Sequence, residues 1–310
     1  MNNHTDITIS FIIPSYNSFN TINFTIDSLL KHNSDQIFEI IIVESSDSDQ
    51  MDQLIKQYHS NKIKLVVIGT RVIPATGRNI GANTAKGNVL IFLDADVIVS
   101  PEYIATIIKY IEEGVLVGGG GVEIPVFQRK NPIVIAQYLL QLSEYIPSGK
   151  DRIKTFLPGC NIFCRREVFE KSGGFPSIRA CEDVIWGLNV SKFEKIWFLP
   201  ELVVYHIFST DFRRMFNNQI LLGRYAGILK GGKLFRILKN KFLLIILSPV
   251  LFSIKLLLIS HRVLKAGFTY HCYALRGFPY LMLGVLFWTI GFIQGCSEMT
   301  IENTHAHVAE

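Results

Sequence analysis

Two carboxylate pairs, one histidine and one arginine give this 310-residue sequence its candidate chemistry. The first pair is Asp94-Ala95-Asp96, directly after the apolar run at residues 89–93. At a strand end, a DxD sets two carboxylates side by side where a hard divalent cation and its phosphate ligands can be held. Alone, the same pattern also serves a solvated turn. The second pair, Glu182-Asp183, opens a stretch with helical spacing, where a plain N-cap is the alternative role for Asp183. His206 closes an apolar run, a place where a lone histidine is ordinarily structural. Arg78 lies near a predicted helix N-terminus, a location that favours anions, against the alternative of a solvated surface charge. Their joint occurrence is what gives these residues weight.

Regular elements are needed to bring them together. Residues 7–14, 38–43, 63–68 and 89–93 are short apolar runs rich in β-branched residues and read as buried strands. Between them, residues 20–31, 51–58 and 77–85 have helical spacing. This alternation predicts right-handed βαβ units and a mainly parallel sheet with helices on both faces. The DxD then falls at the carboxyl edge of the fourth strand, where open α/β sheets commonly bind ligands. Beyond it come a helix at 101–113, the run Gly118-Gly119-Gly120-Gly121, and a helix at 165–172 followed by Gly173-Gly174-Phe175. A further helix is expected at 184–193, and short strands at 196–199 and 203–206. The four glycines fit either a backbone that something approaches closely or a flexible turn.

Composition divides the chain. Nearly half of it, 49%, is hydrophobic, and the stretch after Phe208 is dominated by Leu, Ile, Phe and basic residues. The formal charge of +5 draws largely on Arg213, Arg214, Arg224, Lys230, Lys233, Arg236, Lys239 and Lys241, just ahead of an apolar segment. That placement suits anionic lipid headgroups, and with no binding module present nucleic acid is not an expected partner. Five cysteines, an odd number without CxxC spacing, read as packing residues. Residues 1–10 lack a basic stretch followed by a long apolar run, so the first domain is expected in the reducing cytosol.

The order of motifs resembles the large family-two group of inverting glycosyltransferases, which use the nucleotide-binding GT-A fold. The resemblance rests on Phe11-Ile12-Ile13-Pro14-Ser15-Tyr16-Asn17, Glu44-Ser45-Ser46-Asp47-Ser48-Asp49, Gly77-Arg78-Asn79-Ile80-Gly81-Ala82, Phe92-Leu93-Asp94-Ala95-Asp96, Gly159-Cys160-Asn161, Arg165-Arg166, Gly173-Gly174-Phe175, Glu182-Asp183 and His206. It implies that Pro14, Ser15, Tyr16, Asn17 and Glu44 hold the nucleoside, Glu44 accepting from a base N–H. Arg78 would help hold the base or diphosphate, and Asp94 would contact ribose or donor sugar. Gly159, Asn161 and Glu182 complete the nucleotide-sugar set. Asp96 and His206 would bind Mg2+ or Mn2+ across the phosphates, neutralising charge on the departing diphosphate. Asp183 would be the general base that frees an acceptor hydroxyl to attack the anomeric carbon with inversion.

The expected donor is a nucleotide-diphosphate sugar, UDP-linked in preference to GDP-linked, and the acceptor a lipid-linked or saccharide hydroxyl. Many family members carry two acids after the second strand, whereas here the pair is Glu44-Ser45. The Gln-x-x-Arg-Trp motif of processive synthases is missing; Gln219 and Arg224-Tyr225 approximate it with the wrong spacing, which favours single transfers. A dinucleotide-dependent oxidoreductase would need a glycine-rich turn where Pro14-Ser15-Tyr16-Asn17 stands. A nucleotidyltransferase would need a donor-phosphate loop that the sequence lacks. A non-catalytic, membrane-attached scaffold would be marked by loss of Asp183 or a metal ligand, and none is lost.

Residues 242–260 and 277–295 are each about as long as the roughly 20 residues a helix needs to cross a bilayer. The first carries Pro249 and Lys255, and the second is uncharged with Tyr280 and Trp288 as interfacial anchors. The expected layout is a GT-A catalytic domain at 1–210, basic amphipathic interfacial helices at 211–241, two membrane-embedded segments within 242–297, and a tail at 298–310. The catalytic domain is expected on the cytoplasmic side.

Overall fold

The computed structural model describes residues 7–32, 37–46, 49–238 and 241–298, and the side chains of these except at 37–38 and 230–242. The N-terminal residues 1–6, Asp47 and Ser48 of the expected nucleoside loop, and the tail beyond residue 298 lie outside the described residues. So do the side chains of Lys230, Lys233, Arg236, Lys239 and Lys241. The chain divides into two units: Met1–Pro125 with Tyr145–Ile207, and Val126–Glu144 with Phe208–Glu310. The excursion Val126–Glu144 is a division that no composition shift in the sequence announces.

The first unit is built on a mixed sheet. Its first half comprises β1 (Ile9–Ser15), β2 (Ile37–Glu44), β3 (Ile63–Val67) and β4 (Val89–Leu93), joined by α1 (Ile22–Leu30), α2 (Gln50–Lys56) and α3 (Pro74–Thr84). These strands pair in parallel in the order β3-β2-β1-β4, as the βαβ reading requires. Ile9, Phe11, Ile12, Ile13 and the whole of β4 are buried, which is why β4 reads as a continuous apolar run and β1 as one broken by Ser10. Helix α3 lies very close to β1. A Cβ at Gly81 would come within 2.5 Å of Ile12 Cγ2, so only a glycine lets the helix settle at that depth.

The second half reverses direction. After β5 (Val97–Val99) and α4 (Tyr103–Glu112) come β6 (Val117–Glu123), β7 (Arg152–Lys154) and β8 (Asn161–Arg165). Helices α6 (Arg166–Ser172) and α7 (Glu182–Val190) and strand β9 (Ile196–His206) complete the unit. Among the described residues the sheet runs β3-β2-β1-β4-β8-β6-β9-β5, with β7 also paired to β9. The glycine run is strand, not turn: β6 is wholly buried between β8 and β9. A Cβ on Gly120 would lie 1.8 Å from the Leu202 carbonyl oxygen, so close backbone approach is the reason for that residue type. The two short strands expected around Pro200 are one continuous strand. A register shift opposite Gly120 to Val122 absorbs the irregularity that the proline introduces.

In the second unit, α5 (Pro132–Leu142) precedes α8 (Phe212–Leu238), α9 (Lys241–Ile246), α10 (Ser248–Ala266) and α11 (Phe268–Glu298). Asn131 caps α5, its side-chain oxygen accepting from the N–H groups of Ile133 and Val134. Among the described residues one helix, α11, is long and apolar enough to cross a membrane. It makes close contact with α5 at Gly284 and with α8 at Gly291.

Candidate functional site

The site gathers at the carboxyl ends of β1, β2 and β4, joined by the loop before β8, the start of α7 and the end of β9. Its centre is Arg78. The guanidinium is buried and donates through Nη2 to Asp94 Oδ1 at 2.7 Å and through Nη1 to Glu182 Oε1 at 2.6 Å. Burial alone would lower the Arg78 pKa, but Asp94, Glu182 and Asp183 more than reverse that, so the cation is held firmly. The sequence suggests that Arg78 holds a base or diphosphate; the geometry shows it bridging the two carboxylate pairs.

Three motif segments serve this arginine. Phe175 lies beneath the guanidinium, ring centroid 5.6 Å from Cζ, and packs edge-on against Phe92 and beside Trp186. Asn79 fixes it, donating through Nδ2 to the Phe175 carbonyl and accepting from its N–H. That clamp explains Gly173-Gly174-Phe175: both glycines have positive φ, and a Cβ on Gly174 would press to 2.9 Å from Asn79 Oδ1. Arg166 donates to the carbonyls of Ala82, Ala85 and Gly87, tying the C-terminal end of α3 to the start of β4. Gly159 passes so close to Arg78 that a Cβ there would meet Nη2 at 2.9 Å.

Asp183 sits in the first turn of α7, half-buried. Its Oδ2 accepts from the Gly159 N–H at 3.0 Å and its Oδ1 from its neighbour Val184 N–H at 2.8 Å. Burial, then the charge of Glu182, raises its pKa, and the two N–H donors and Arg78 pull the other way; the result is pushed up to about 6. Cys181, immediately before, is in the left-handed region at φ 64°, a backbone conformation that costs energy for a non-glycine residue and turns the chain sharply into the helix.

Asp94, Asp96 and His206 present ligand atoms that all lie within 4.8 Å of one another. The antiparallel ladder positions them: β5 pairs with β9 so that Val97 lies opposite His206, and the Ile207 N–H donates to the Asp96 carbonyl. His206 Nε2 is 3.5 Å from Asp96 Oδ1. Sequence reasoning paired Asp96 with His206 and kept Asp94 apart for the sugar; the structure brings all three to one point. The thiol of Cys160, buried beside Asp94, Asp96 and Arg78, is pushed well up by burial and stays protonated.

At the other end of the site, Glu44 is buried opposite Ser15 in the β1–β2 register. It accepts from Ser15 Oγ at 2.6 Å and from the Ser46 N–H at 2.7 Å. Pro14, next to last in β1, packs against Gly77, and Asn17 turns the chain with φ 52°. Tyr16 is exposed, and the Arg71 guanidinium lies over its ring at 4.6 Å. Arg71 escaped sequence reasoning; its place in the loop after β3, at the same sheet edge, was the available signal. Asn161 stands apart from the cluster. It is fully buried, accepting from Tyr103 Oη at 2.7 Å and donating to the carbonyls of Gly121 and Leu202, so its amide joins β8, β6, α4 and β9.

Residues 10–173, more than half of the chain, match Glycosyl transferase family 2. An amylovoran biosynthesis glycosyltransferase of Erwinia amylovora is 37% identical over 95 residues, 29% of this chain and 31% of that protein. A poly(ribitol-phosphate) beta-glucosyltransferase of Bacillus spizizenii is 28% identical over 222 residues, 67% of this chain and 33% of that protein. Such matches span about a third of the relatives' length. Among solved structures, the mannosyltransferase PcManGT from Pyrobaculum calidifontis in complex with GDP-Man and Mn2+ superposes with a TM-score of 0.58. That match has 15% identity and covers 94% of this chain and 88% of that one. GalNAc-T7 with UDP, GalNAc and Mn2+ gives 0.54 at 17% identity, covering 68% and 47%. At these identities the likeness shows the fold, a GT-A-like α/β arrangement with a mixed sheet. The matched segment carries β1, α3, the Asp94-Ala95-Asp96 strand end and the Gly159 loop in order, and by that match the chain belongs to glycosyl transferase family 2.

Proposed function

We propose that the chain is an inverting, metal-dependent glycosyltransferase that moves a sugar from a nucleotide-diphosphate sugar to an acceptor hydroxyl at the cytoplasmic face of a membrane. The observation that carries this reading is the environment of Asp183: a half-buried carboxylate with its pKa pushed up to about 6, oriented by the Gly159 N–H, beside the Asp94, Asp96 and His206 cluster. A base poised in that range can take a proton from a hydroxyl near neutral pH. With the hydroxyl proton on Asp183, the acceptor oxygen attacks the anomeric carbon from the face opposite the leaving diphosphate, and configuration inverts.

The donor set fits a divalent cation. Two carboxylates and one imidazole suit Mg2+ or Mn2+, and Arg78 sets one guanidinium against three carboxylates, Asp94, Glu182 and Asp183. Asp96, His206 and Asp94 would hold the ion, which when bound neutralises charge on the leaving diphosphate. Arg78 keeps Asp94 and Glu182 fixed while this happens. Pro14, Ser15, Tyr16, Asn17 and Glu44 line the sheet edge where the nucleoside would lie, Glu44 retaining lone pairs for a base N–H after accepting from Ser15 and Ser46. Gly159 admits the donor beside Arg78, and Asn161 holds that loop's strand in register.

The donor is a UDP-sugar in preference to a GDP-sugar, and the acceptor a lipid-linked or saccharide hydroxyl. Attachment to the membrane is through α10 and α11, following the basic stretch of α8, with residues 1–210 as the catalytic part. The test is nucleotide release by the purified chain in detergent, with Mn2+ or Mg2+, from a panel of UDP-, GDP- and dTDP-sugars. Release from one donor, lost in Asp183→Asn, supports the reading. Failure with every donor in both metals overturns it.

A further inference from the structure

Resting on the membrane attachment just proposed, we infer that α10 and α11 lie in the plane of one leaflet and that neither crosses the bilayer. The first observation is where the charges of α10 point. Lys255, midway along it, sits over the Trp288 ring at 4.8 Å and donates to the Leu140 carbonyl at 3.4 Å. Arg262 pairs with Glu144 at 2.6 Å and donates to Ser143 Oγ at 3.4 Å. Lys255 thus faces α5 and α11, and Arg262 faces the residues just after α5. The opposite face of the pair is exposed and mainly apolar, with Val250, Ile254 and Leu257 on α10, interrupted there by Ser253 and His261, and Leu275, Leu286 and Ile290 on α11. Charged on one side and apolar on the other, α10 has the form of a helix that beds into an interface.

The second observation concerns what accompanies α11. Helix α8 runs parallel to it: Phe212 meets Tyr280, Phe216 stacks on Phe287 at 4.4 Å, Gly223 faces the Trp288 backbone, and Arg224 pairs with Glu298. Alongside residues 280–298, α8 therefore brings Arg213, Arg214, Asn217, Asn218 and Arg224. Were α11 to cross, that polar run would enter the hydrocarbon beside it. On its N-terminal half α11 is covered by α5, where Gly277 meets Ile135 and Gly284 meets Leu140. Only 11 residues long, α5 is too short to span, and the chain on both sides of Val126–Glu144 belongs to the first unit. A stripe from Phe268 to Ile290, about 33 Å at 1.5 Å per residue, is thus one lipid-facing side of a layer whose other side is protein. Exposed Lys265, just before the turn at Gly267, and exposed Arg276, further along α11, supply cations for anionic headgroups.

The test uses the full chain with Cys272→Ser and single reporters at Leu257→Cys, Leu275→Cys and Ile290→Cys. Each carries a fluorophore quenched by bromine placed at known depths in vesicles of phosphatidylcholine mixed with phosphatidylglycerol. All three sites are exposed, so the substitutions leave the packing intact. The expected result is flotation with the vesicles and the same shallow depth for all three reporters. Replacing Lys265 and Arg276 together with Glu should lower flotation with the mixed vesicles several-fold and leave it unchanged with pure phosphatidylcholine. Vesicle-bound protein whose Leu275 and Ile290 reporters differ in depth by half a bilayer overturns the in-plane seating and leaves attachment standing. A chain that stays with the aqueous fraction as a dimer, its reporters unquenched, overturns both and gives the apolar face to a second copy.

Discussion

The backbone N–H of Gly159 donates to Asp183 Oδ2 at 3.0 Å, so the loop before β8 orients a carboxylate supplied by α7. An amide at position 183 keeps the shape and loses the basic oxygen. Asp183→Asn should therefore reduce transfer by at least ~10²-fold while nucleotide binding persists. Isothermal titration with the nucleotide, beside turnover, separates the two effects; near-normal turnover would remove Asp183 from the chemistry.

The raised pKa of Asp183 fixes the sign of the pH response. Below about 6 the group is protonated and cannot take a proton, so turnover should rise with pH through that value and level off above it. Stability moves the other way for this group. Its folded pKa lies above the ordinary carboxylate value, so the folded state binds the proton more tightly and loses this contribution as pH rises through about 6. Asp183→Asn should accordingly gain in urea midpoint over the parent at pH 7 relative to pH 4. A parent-to-variant difference that does not change with pH would contradict the shift.

Chelation should abolish transfer, and Mn2+ or Mg2+ should restore it. Asp96→Ala and His206→Ala should each weaken metal-dependent nucleotide binding by more than the roughly tenfold that losing an outer-sphere partner of a metal site costs. Binding measured with and without EDTA is the check; activity untouched by EDTA would exclude the metal role.

Arg78→Met removes the partner of two carboxylates at once. Breaking a buried pair from one side costs roughly 3–5 kcal/mol, because the abandoned charge stays behind. Arg78→Met combined with Glu182→Leu should recover part of that loss. Urea unfolding of the four proteins measures the coupling, and an unchanged midpoint in Arg78→Met would mean that the bridge contributes nothing.

The parallel half of the fold was legible because β4 is buried on both faces and reads as an unbroken apolar run, and buried β1 as an apolar run interrupted by Ser10. The second half was harder. Strand β5 is three residues long and β7 another three, too short for any periodicity, and β6 is largely glycine, whose strand role comes from neighbours distant in sequence. The sequence singled out Asp94, Asp96, Asp183 and His206 and paired Asp96 with His206, but did not set Asp94 beside them. Asp94 joins the His206 cluster through strand pairing, and Arg78 reaches Glu182 across 104 residues of chain. The bonds of Asn161 to Tyr103 and two carbonyls were not legible either, because they depend on which way a side chain points.

The ladder that sets Val97 opposite His206 also limits how this gene can change length. In a strand, one added or lost residue sends every later side chain to the other face. A single-codon insertion within Ile196–His206 would turn the imidazole away from Asp96 even if every residue identity were kept. An insertion at the exposed turn around Asn61, outside any ladder, leaves the cluster where it is. Descendants of this chain can therefore lengthen freely at such turns, whereas the distance along the sequence from the start of β9 to its histidine is fixed by geometry.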